Sequence, residues 1–427
     1  MKFCYLRFLM LNRFPIDRIQ IWLFLVSMLL ISFPWSERIN SIFIALLVLH
    51  WLVDAQFLSK FRTLKKSALK VFPFFLFFFL HFIFVSRAIR FEDALQTIEV
   101  KLSFLLLPLL FSTEHYFDHF NQKWLMRLFS ASCLLSAIYC FIAYRLYLYP
   151  LYGWDDLFNR MIFSSYLMHP GYYSNFFVVA IIFLSVQWIT NHLSRWEKIG
   201  SVLTILFFLF ILFILVSKTA LIILLLFCIY LIWHYLSVVD SRPPVRVAYF
   251  LTLVAIALFI FIKVPSIKIR LAETKGEISS TGKNVKLSNS TGSRMIAWKV
   301  EWNLIKERWL AGYGTGNANE ILLQRFGQEG YADLVQHQMH THNQVFHTWL
   351  NLGLAGVLSL VLFFVFCFYY LYKNRGTIGL WTTALLLLYC FTDDALEIQS
   401  ITVFCITIIC LYLFQKQEAK IAETTAS

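Results

Sequence analysis

The sequence predicts an all-α integral membrane protein of about 12 transmembrane helices with one large water-exposed loop. Hydrophobic residues make up 59% of the chain and charged residues only 14%, whereas about a quarter of a typical soluble domain is charged. Mean hydropathy is +0.68. The apolar residues are concentrated in runs separated by short polar segments, and one long polar stretch covers residues 265–343. A water-soluble core could not bury this much apolar surface, so lipid must cover it.

Each predicted span is an apolar run that approaches the ~20 residues needed to cross the hydrocarbon core. The runs lie at about 21–35, 39–53, 71–86, 98–111, 128–149, 172–190, 199–216, 219–236, 247–264, 349–372, 378–394 and 400–415. They divide the chain into transmembrane helices 1–9 (1–264), a loop (265–343), helices 10–12 (344–415) and a tail (416–427). The short segment Ser217-Lys-Thr219 separates two runs that are together too long for one span, which predicts a tight reversal there.

The basic residues predict the orientation. On the side of the N-terminal tail, the short loops and both tails hold 19 Lys and Arg, whereas the opposite side holds 6. The positive-inside rule therefore places both termini in the cytoplasm and the long loop outside.

The long loop is predicted to contain two short helices. Its first part, 275–291, is polar and rich in Gly and Ser, which is typical of a flexible segment. A helix is predicted over Arg294–Leu310, because Trp298, Trp302, Ile305 and Trp309 recur at helical spacing. Packing of this stripe on the membrane surface or on the outer end of the helix bundle is favoured over ligand contact. A Gly-rich turn ends the helix, and a second helix is predicted over Asn317–Phe326.

Cations near the predicted outer ends of the spans oppose the orientation rule and are therefore candidate functional residues. This set comprises Arg87, Arg90, Lys101, Arg145, Arg160, Lys218 and Arg294. Such cations suit a membrane enzyme that binds a lipid-linked phosphate or diphosphate, because they neutralise the charge of the leaving group. For most of them, snorkelling to headgroups or pairing with Glu92, Asp93 and Glu99 remains the simpler interpretation. The chain has no contiguous basic face, so no nucleic-acid partner is expected.

Histidines are concentrated just before the tenth predicted span, at His337, His340, His342 and His347. Three interpretations stay open: a metal site at His340 and His342, acid–base catalysis, and an interfacial polar loop. A metal site is disfavoured because His-x-His alone supplies too few ligands. Acid–base work suits the ordinary pKa of histidine, near 6.5.

Two further polar segments lie near the predicted outer face. His169 and its neighbouring tyrosines belong either to an aromatic belt or to the outer cavity. Asp393, Asp394 and Glu397 either orient a histidine or arginine or form a solvated turn.

The motifs together resemble the O-antigen ligase and polymerase superfamily. The strongest similarity runs from Ser293-Arg294 through Trp298 to Trp309-Leu-Ala-Gly-Tyr-Gly-Thr-Gly316. It continues with His342-Asn343 and the Gly-rich segment Leu350-Asn-Leu-Gly-Leu-Ala-Gly356. A weaker match is Val216-Ser-Lys-Thr-Ala220, where Lys218 stands in place of the family's usual Arg. Lysine keeps the charge but lacks the bidentate fork of a guanidinium.

The resemblance implies a metal-independent glycosyltransfer without a cofactor, on the outer face of the cytoplasmic membrane. The implied donor is a glycan on undecaprenyl diphosphate, and the acceptor is a sugar hydroxyl on lipid A-core or on another glycan. His342 would be the general base, and Arg294 with Lys218 would hold the departing diphosphate. Arg87 and Arg90 are further candidates for diphosphate binding. Supporting roles are expected for Asn343, His340, His169 and Glu397.

Ligase-type transfer is the leading hypothesis, and a repeat-unit polymerase of the same superfamily is its closest alternative. A lipid-linked sugar transporter would be expected to have duplicated halves with broken helices at the midplane. No internal repeat is found, and the polar residues are concentrated at one face instead. A structural scaffold would not explain the cations on the outer side.

Overall fold

The structure is a computed structural model that describes residues 18–54, 56–114, 119–152, 163–164, 167–190, 193–215, 217–239 and 290–415. Within these ranges all the regular secondary-structure elements are helices. The α-helices are α1 (Arg18–Ser32), α2 (Glu37–Val53), α3 (Phe57–Lys66), α4 (Ala68–Phe84), α5 (Phe91–Thr113), α6 (His119–Ala143), α7 (Tyr149–Tyr152), α8 (Pro170–Thr190), α9 (Arg195–Leu215), α10 (Lys218–Val239), α11 (Ser290–Glu307), α12 (Ala318–Glu329), α13 (Ala332–Gln336), α14 (Gln344–Lys373), α15 (Thr377–Thr392) and α16 (Gln399–Leu413). A π-helical segment, Tyr144–Leu148, joins α6 to α7.

The predicted spans agree with the helices. Eleven of the twelve predicted segments coincide with a helix, and the ninth, 247–264, lies outside the described residues. Within the described part, seven helices are long and apolar enough to cross a membrane, or eight if the bent pair α2 and α3 is one span. Helices α1, α15 and α16 are apolar but shorter. These findings confirm an α-helical, multi-pass membrane protein.

The chain divides into two compact units, and two of the four boundaries between them fall inside α5 and α16. The first unit comprises Met1–Ser67, Leu109–Leu215 and Cys410–Ser427. In it, α1 packs against α2 and α6, and α8 packs against α9 and α6. Lys60, from the basic segment predicted to be cytoplasmic, is buried with its Nζ 3.2 Å from both Asp54 Oδ2 and Glu114 Oε1. A buried ammonium needs such pairing, which explains why this lysine can leave water.

The second unit comprises Ala68–Pro108 and Val216–Ile409 and contains the loop motifs that carry the resemblance. Its longest helix, α14, packs against α4, α15 and α11. The contact with α4 and α5 is aromatic: the rings of Phe74 and Phe104 lie 5.0 and 5.3 Å from that of Phe363. Edge-to-face packing of this kind fixes the helices around α14, which positions the start of that helix.

The loop helices form a small core of their own. Ala297, Val300 and Leu304 of α11 are buried with Leu322 and Phe326 of α12. The second helix lies close to its predicted position. The prediction that the first helix reaches Leu310 is wrong, because α11 ends at Glu307.

The tryptophan stripe is divided as a consequence. The ring of Trp302 lies 6.1 Å from that of Phe346 and 6.0 Å from that of Trp349, so this part of α11 packs on the first turns of α14. Trp309 lies beyond the end of the helix and is half exposed. Packing of the stripe on the helix bundle is therefore found for Trp302, at the start of α14.

Candidate active site

The Gly-rich turn after α11 fits into a break in α14. Gly353 has a φ of +65°, which interrupts the helix and frees carbonyl groups that would otherwise accept hydrogen bonds within α14. The N–H of Tyr313 donates to Leu350 O (2.6 Å) and that of Gly314 donates to Asn351 O (2.9 Å). A Cβ on Gly312 would lie 2.6 Å from Gly353 N, so only glycine permits this approach. The turn thus fixes the loop helices to the start of α14.

Asn343 is a helix cap. Its side chain accepts hydrogen bonds from the N–H groups of Val345 (3.0 Å) and Phe346 (3.2 Å) at the N-terminus of α14. Capping of this kind stabilises a helix by about 0.5–2 kcal/mol. The supporting role predicted for Asn343 is consistent with this position, since the cap fixes the residue that precedes it, His342.

His342 has a backbone φ of +46°, which is unusual for a residue with a side chain. This left-handed conformation costs about 1–2 kcal/mol in an L-residue, and such strain tends to be retained at functional sites. The imidazole remains 24% exposed. Its Nδ1 lies 2.9 Å from Asp393 Oδ1, in the short segment between α15 and α16.

The environment of Asp393 favours its ionised form. Burial by itself raises the pKa of Asp393, but hydrogen bonds with His342 and Asp394 and the positive charge of Arg294 hold that pKa below its ordinary value. Burial and the neighbouring Asp393 raise the pKa of Asp394. With Asp393 ionised, His342 Nδ1–H donates to the carboxylate, and the lone pair of Nε2 is available to accept a proton.

A second, buried network lies beside this pair. Lys101 Nζ donates to Glu397 Oε1 (2.7 Å) and to Leu396 O (2.5 Å), and His347 Nδ1 lies 3.1 Å from the same carboxylate oxygen. Gln344 Nε2 donates to Glu397 Oε1 (3.0 Å), and Gln344 Oε1 accepts from the N–H of Leu396 (2.7 Å). The network fixes the 395–397 turn to the first turn of α14.

The two networks are linked through one residue. The backbone N–H of Gln344 donates to Asp393 O (3.2 Å), while its side chain bonds to the turn that carries Glu397. Glu397, predicted to support the site, therefore acts on the position of the segment and does not contact His342. Burial raises the pKa of Glu397, but Lys101 and His347 together hold it well below the ordinary value.

Glu301 on α11 is a site residue that the sequence analysis missed. It is completely buried, and neither carboxylate oxygen has a hydrogen-bond partner among the described residues. Burial, with a smaller contribution from Asp394, raises the pKa of Glu301 to about 9. The residue is therefore a neutral carboxylic acid near neutral pH. The sequence feature that could have indicated this buried acid is its position, one helical turn after Trp298 and within the predicted apolar stripe.

The remaining predicted residues occupy varied positions. Arg87 donates from NH1 to Ala311 O (3.1 Å) in the Gly-rich turn, and Arg90 pairs with Asp93 at 3.6 Å. Lys218 is the first residue of α10. The ring of His340 lies 6.4 Å from that of His342. His169 belongs to the first unit, just before α8, and its Nδ1 accepts from the N–H of Gly171 (3.2 Å).

A possible metal-ligand group also includes His342. Donor atoms of His342, Asp393 and Asp394 lie within 4.8 Å of one another, which differs from the predicted pair of His340 and His342. The donors already bond to each other: Asp393 Oδ1 accepts from His342 and from the N–H of Asp394 (3.1 Å). This arrangement favours an acid–base pair over a metal site.

The fold and the site define a multi-pass α-helical membrane protein with a histidine–carboxylate pair supported by a broken helix. A family model described as O-Antigen ligase matches residues 203–361. This match confirms the predicted resemblance to the O-antigen ligase and polymerase superfamily over that segment. The matched segment contains Lys218, Arg294 and His342 but ends before Asp393. No curated protein matches the chain.

Proposed function

We propose that this protein is a ligase-type glycosyltransferase that moves a glycan from undecaprenyl diphosphate to a sugar hydroxyl on lipid A-core or a similar acceptor. The observation that carries the proposal is the His342–Asp393 pair at 2.9 Å, within hydrogen-bond distance and with the imidazole still accessible. The family match supports ligase or polymerase chemistry in general.

In the proposed reaction, His342 Nε2 takes the proton from the acceptor hydroxyl. The hydroxyl oxygen then forms a bond to the anomeric carbon, while the bond from that carbon to the diphosphate oxygen breaks and its electron pair leaves with the diphosphate. Asp393 holds the imidazole in the required tautomer and stabilises the imidazolium that forms. Because the leaving group is already good, neither a covalent nucleophile nor a metal is required, and the anomeric centre is inverted.

The departing diphosphate needs cations. Arg294 is the best candidate, because its charge already acts on Asp393. Lys218 begins α10, and the N-terminus of a helix favours an anion. Arg294→Lys should lose most transfer activity, since a bidentate phosphate contact needs the guanidinium fork, whereas Lys218→Arg should be tolerated. If Arg294→Lys kept full activity in a transfer assay, residue 294 would contact the diphosphate through its charge alone or not at all.

The membrane arrangement proposed with this function has twelve spans, both termini in the cytoplasm and residues 265–343 in the periplasm of a bacterial inner membrane. The excess of Lys and Arg on one side supports it. A Ser288→Cys variant should react with an impermeant thiol reagent in intact spheroplasts more than the wild type does. Labelling of that cysteine only after lysis would contradict the proposed orientation and would place the site on the cytoplasmic side.

A repeat-unit polymerase fits the same family and the same base, because only the acceptor differs. The glycan profile of a deletion strain separates the two. A ligase predicts that polymer disappears from lipid A-core while lipid-linked polymer accumulates. Products that carry a single repeat unit would instead identify a polymerase, and an unchanged profile would refute both.

A further inference from the structure

A cleft lies at the turn that follows α11, apart from the histidine–carboxylate pair. It has a volume of about 750 Å³, within the range of about 300–1,000 Å³ for small-molecule pockets. Its lining includes two cations, one acid and two aromatic rings beside several aliphatic side chains. The charged and aromatic residues are Arg87, Arg308, Glu307, Trp309 and Tyr313.

The cleft has an excess of positive charge. Glu307 is already paired, since Arg325 NH2 lies 2.8 Å from both of its carboxylate oxygens. Neither Arg87 nor Arg308 lies within ion-pair distance of a carboxylate among the described residues. Arg308 instead stacks over the ring of Tyr313, with its guanidinium carbon 5.0 Å from the ring centroid. Two guanidinium groups without a carboxylate partner favour an anionic ligand.

The aromatic rings indicate which kind of anion. Trp309 is 52% exposed, and its backbone carbonyl is fixed by a hydrogen bond from Trp349 Nε1 (2.8 Å). Tyr313 is held by its hydroxyl, which donates to Leu304 O (3.1 Å). The exposed indole ring of Trp309 beside guanidinium groups matches a sugar ring, which has an apolar C–H face and a polar rim. A simple phosphate would not use the aromatic surface.

The cleft lies at a suitable place along α14. Trp349, which bonds to Trp309, is five residues after Gln344, where the helix begins next to His342. At 1.5 Å per residue this is about 8 Å along the helix axis. This separation along the axis is shorter than a glycan of several sugars.

We propose that the cleft formed by Arg87, Arg308, Trp309 and Tyr313 binds an anionic sugar, carrying a carboxylate or phosphate, of a glycan substrate. The proposal rests on the proposed function, because it assumes that the protein handles glycans. The bound sugar lies away from the reacting hydroxyl, so the cleft selects the substrate and takes no part in the chemical step.

The test is a binding experiment on the full-length purified protein in nanodiscs of uncharged lipid. Trigalacturonate is the anionic probe, maltotriose is the uncharged probe, and binding is followed by saturation-transfer NMR and calorimetry. We expect trigalacturonate to bind at least about tenfold more tightly than maltotriose, since one charge-assisted contact contributes about that factor. Arg308→Gln should weaken trigalacturonate binding by a similar factor. Arg87 is the poorer variant, because it also bonds to Ala311 in the turn.

The matched control is Lys306→Gln, which removes the same charge two residues earlier on a side chain that stacks on Trp302 outside the cleft. It should bind trigalacturonate as the wild type does. Unchanged binding in Arg308→Gln, or equal binding of maltotriose, would overturn the proposal. If inorganic phosphate competed as strongly as trigalacturonate, the cleft would bind anions without recognising a sugar. Displacement by undecaprenyl diphosphate would assign it to the donor headgroup, and displacement by phosphatidylglycerol to a lipid.

Failure of this proposal and failure of the proposed function are distinguishable, because binding is measured without transfer. His342→Ala should bind trigalacturonate normally even though it transfers nothing. A wild-type protein that transfers glycan but does not bind trigalacturonate would refute the cleft proposal alone.

Discussion

The second unit contains two histidine–carboxylate pairs that use the same chemical groups in different surroundings. His342 and His347 lie five residues apart, and each contacts a carboxylate of the segment between α15 and α16, at 2.9 Å and 3.1 Å. The side chain of His342 is 24% exposed and that of His347 only 4%. Both pairs therefore have good geometry, but only His342 is accessible to a substrate.

The number of partners separates the pairs further. Lys101, Gln344 and His347 all contact the carboxylate of Glu397, so its negative charge is balanced inside the protein. A buried ion pair of this kind contributes little net stability, but removing one partner is strongly destabilising. Burial and partner number, more than residue type, thus distinguish the histidine proposed to perform chemistry from the histidine that supports the fold. The predictions below test this distinction.

The largest effect is expected for His342→Ala. Loss of a general base reduces the rate by about 10²–10⁴-fold, so transfer should be undetectable although the protein still inserts and folds. Transfer from a lipid-linked donor by purified protein in EDTA measures this. His337→Ala is the control, because His337 is exposed and its Nδ1 lies 2.9 Å from Asp333 O in the same short helix turn. Activity that disappears with chelator and returns with zinc would contradict the general-base role of His342 and indicate a metal site.

The next effect is expected for Asp393→Asn. Asparagine keeps the shape but loses the charge that fixes the tautomer of His342, so the rate should fall by about 10² or more. The pH dependence of transfer should also change, which a merely structural role would not produce. Glu397→Gln is the comparison, and it should lower the melting temperature while the folded protein keeps its pH profile. Equal behaviour of the two variants would remove the distinction between the pairs.

A loss of stability is expected for Lys101→Met. Glu397 would lose its ammonium partner and keep only Gln344 and His347, and breaking a buried ion pair costs about 3–5 kcal/mol. Unfolding in detergent by heat or denaturant measures the change, and the remaining folded protein should transfer glycan at close to the wild-type rate. Lys101→Met combined with Glu397→Gln should recover part of the stability. A wild-type melting temperature for Lys101→Met would show that the ion pair is not part of the scaffold.

The smallest effect is expected for Glu301→Gln. The pKa of Glu301 is raised to about 9 in the folded protein, so between about pH 4.5 and 9 the folded state holds a proton that the unfolded state has released. Stability should therefore fall as pH rises through this window. Glutamine removes the proton and should flatten the dependence, whereas Glu307→Gln, on the same helix but exposed, should leave it unchanged. A wild-type pH dependence in Glu301→Gln would contradict the neutral state of this carboxyl.

Local patterns in the sequence were sufficient for much of the fold and part of the site. Apolar runs predicted eleven helices that the structure contains, because hydropathy and span length depend on neighbouring residues alone. The loop helices and the Gly-rich turn were also predicted from local patterns, whereas the His342-Asn343 motif came from the resemblance to a known family. The end of α11 was placed three residues too far, since the apolar spacing continues to Trp309 after the helical hydrogen bonds have stopped.

Only the tertiary structure decided which groups meet. Asp393 is 51 residues from His342, and Glu397 is 296 residues from Lys101, so nothing in local spacing distinguishes the partner of the base from the partner of the buried lysine. That choice depends on how α4, α5, α14 and α15 pack, and on the break at Gly353 that receives the turn. The sequence by itself therefore determined the helices and the types of reactive residues. Long-range packing determined their pairing and burial, because the free energy of a charge depends on its surroundings in space and not on its neighbours in the chain.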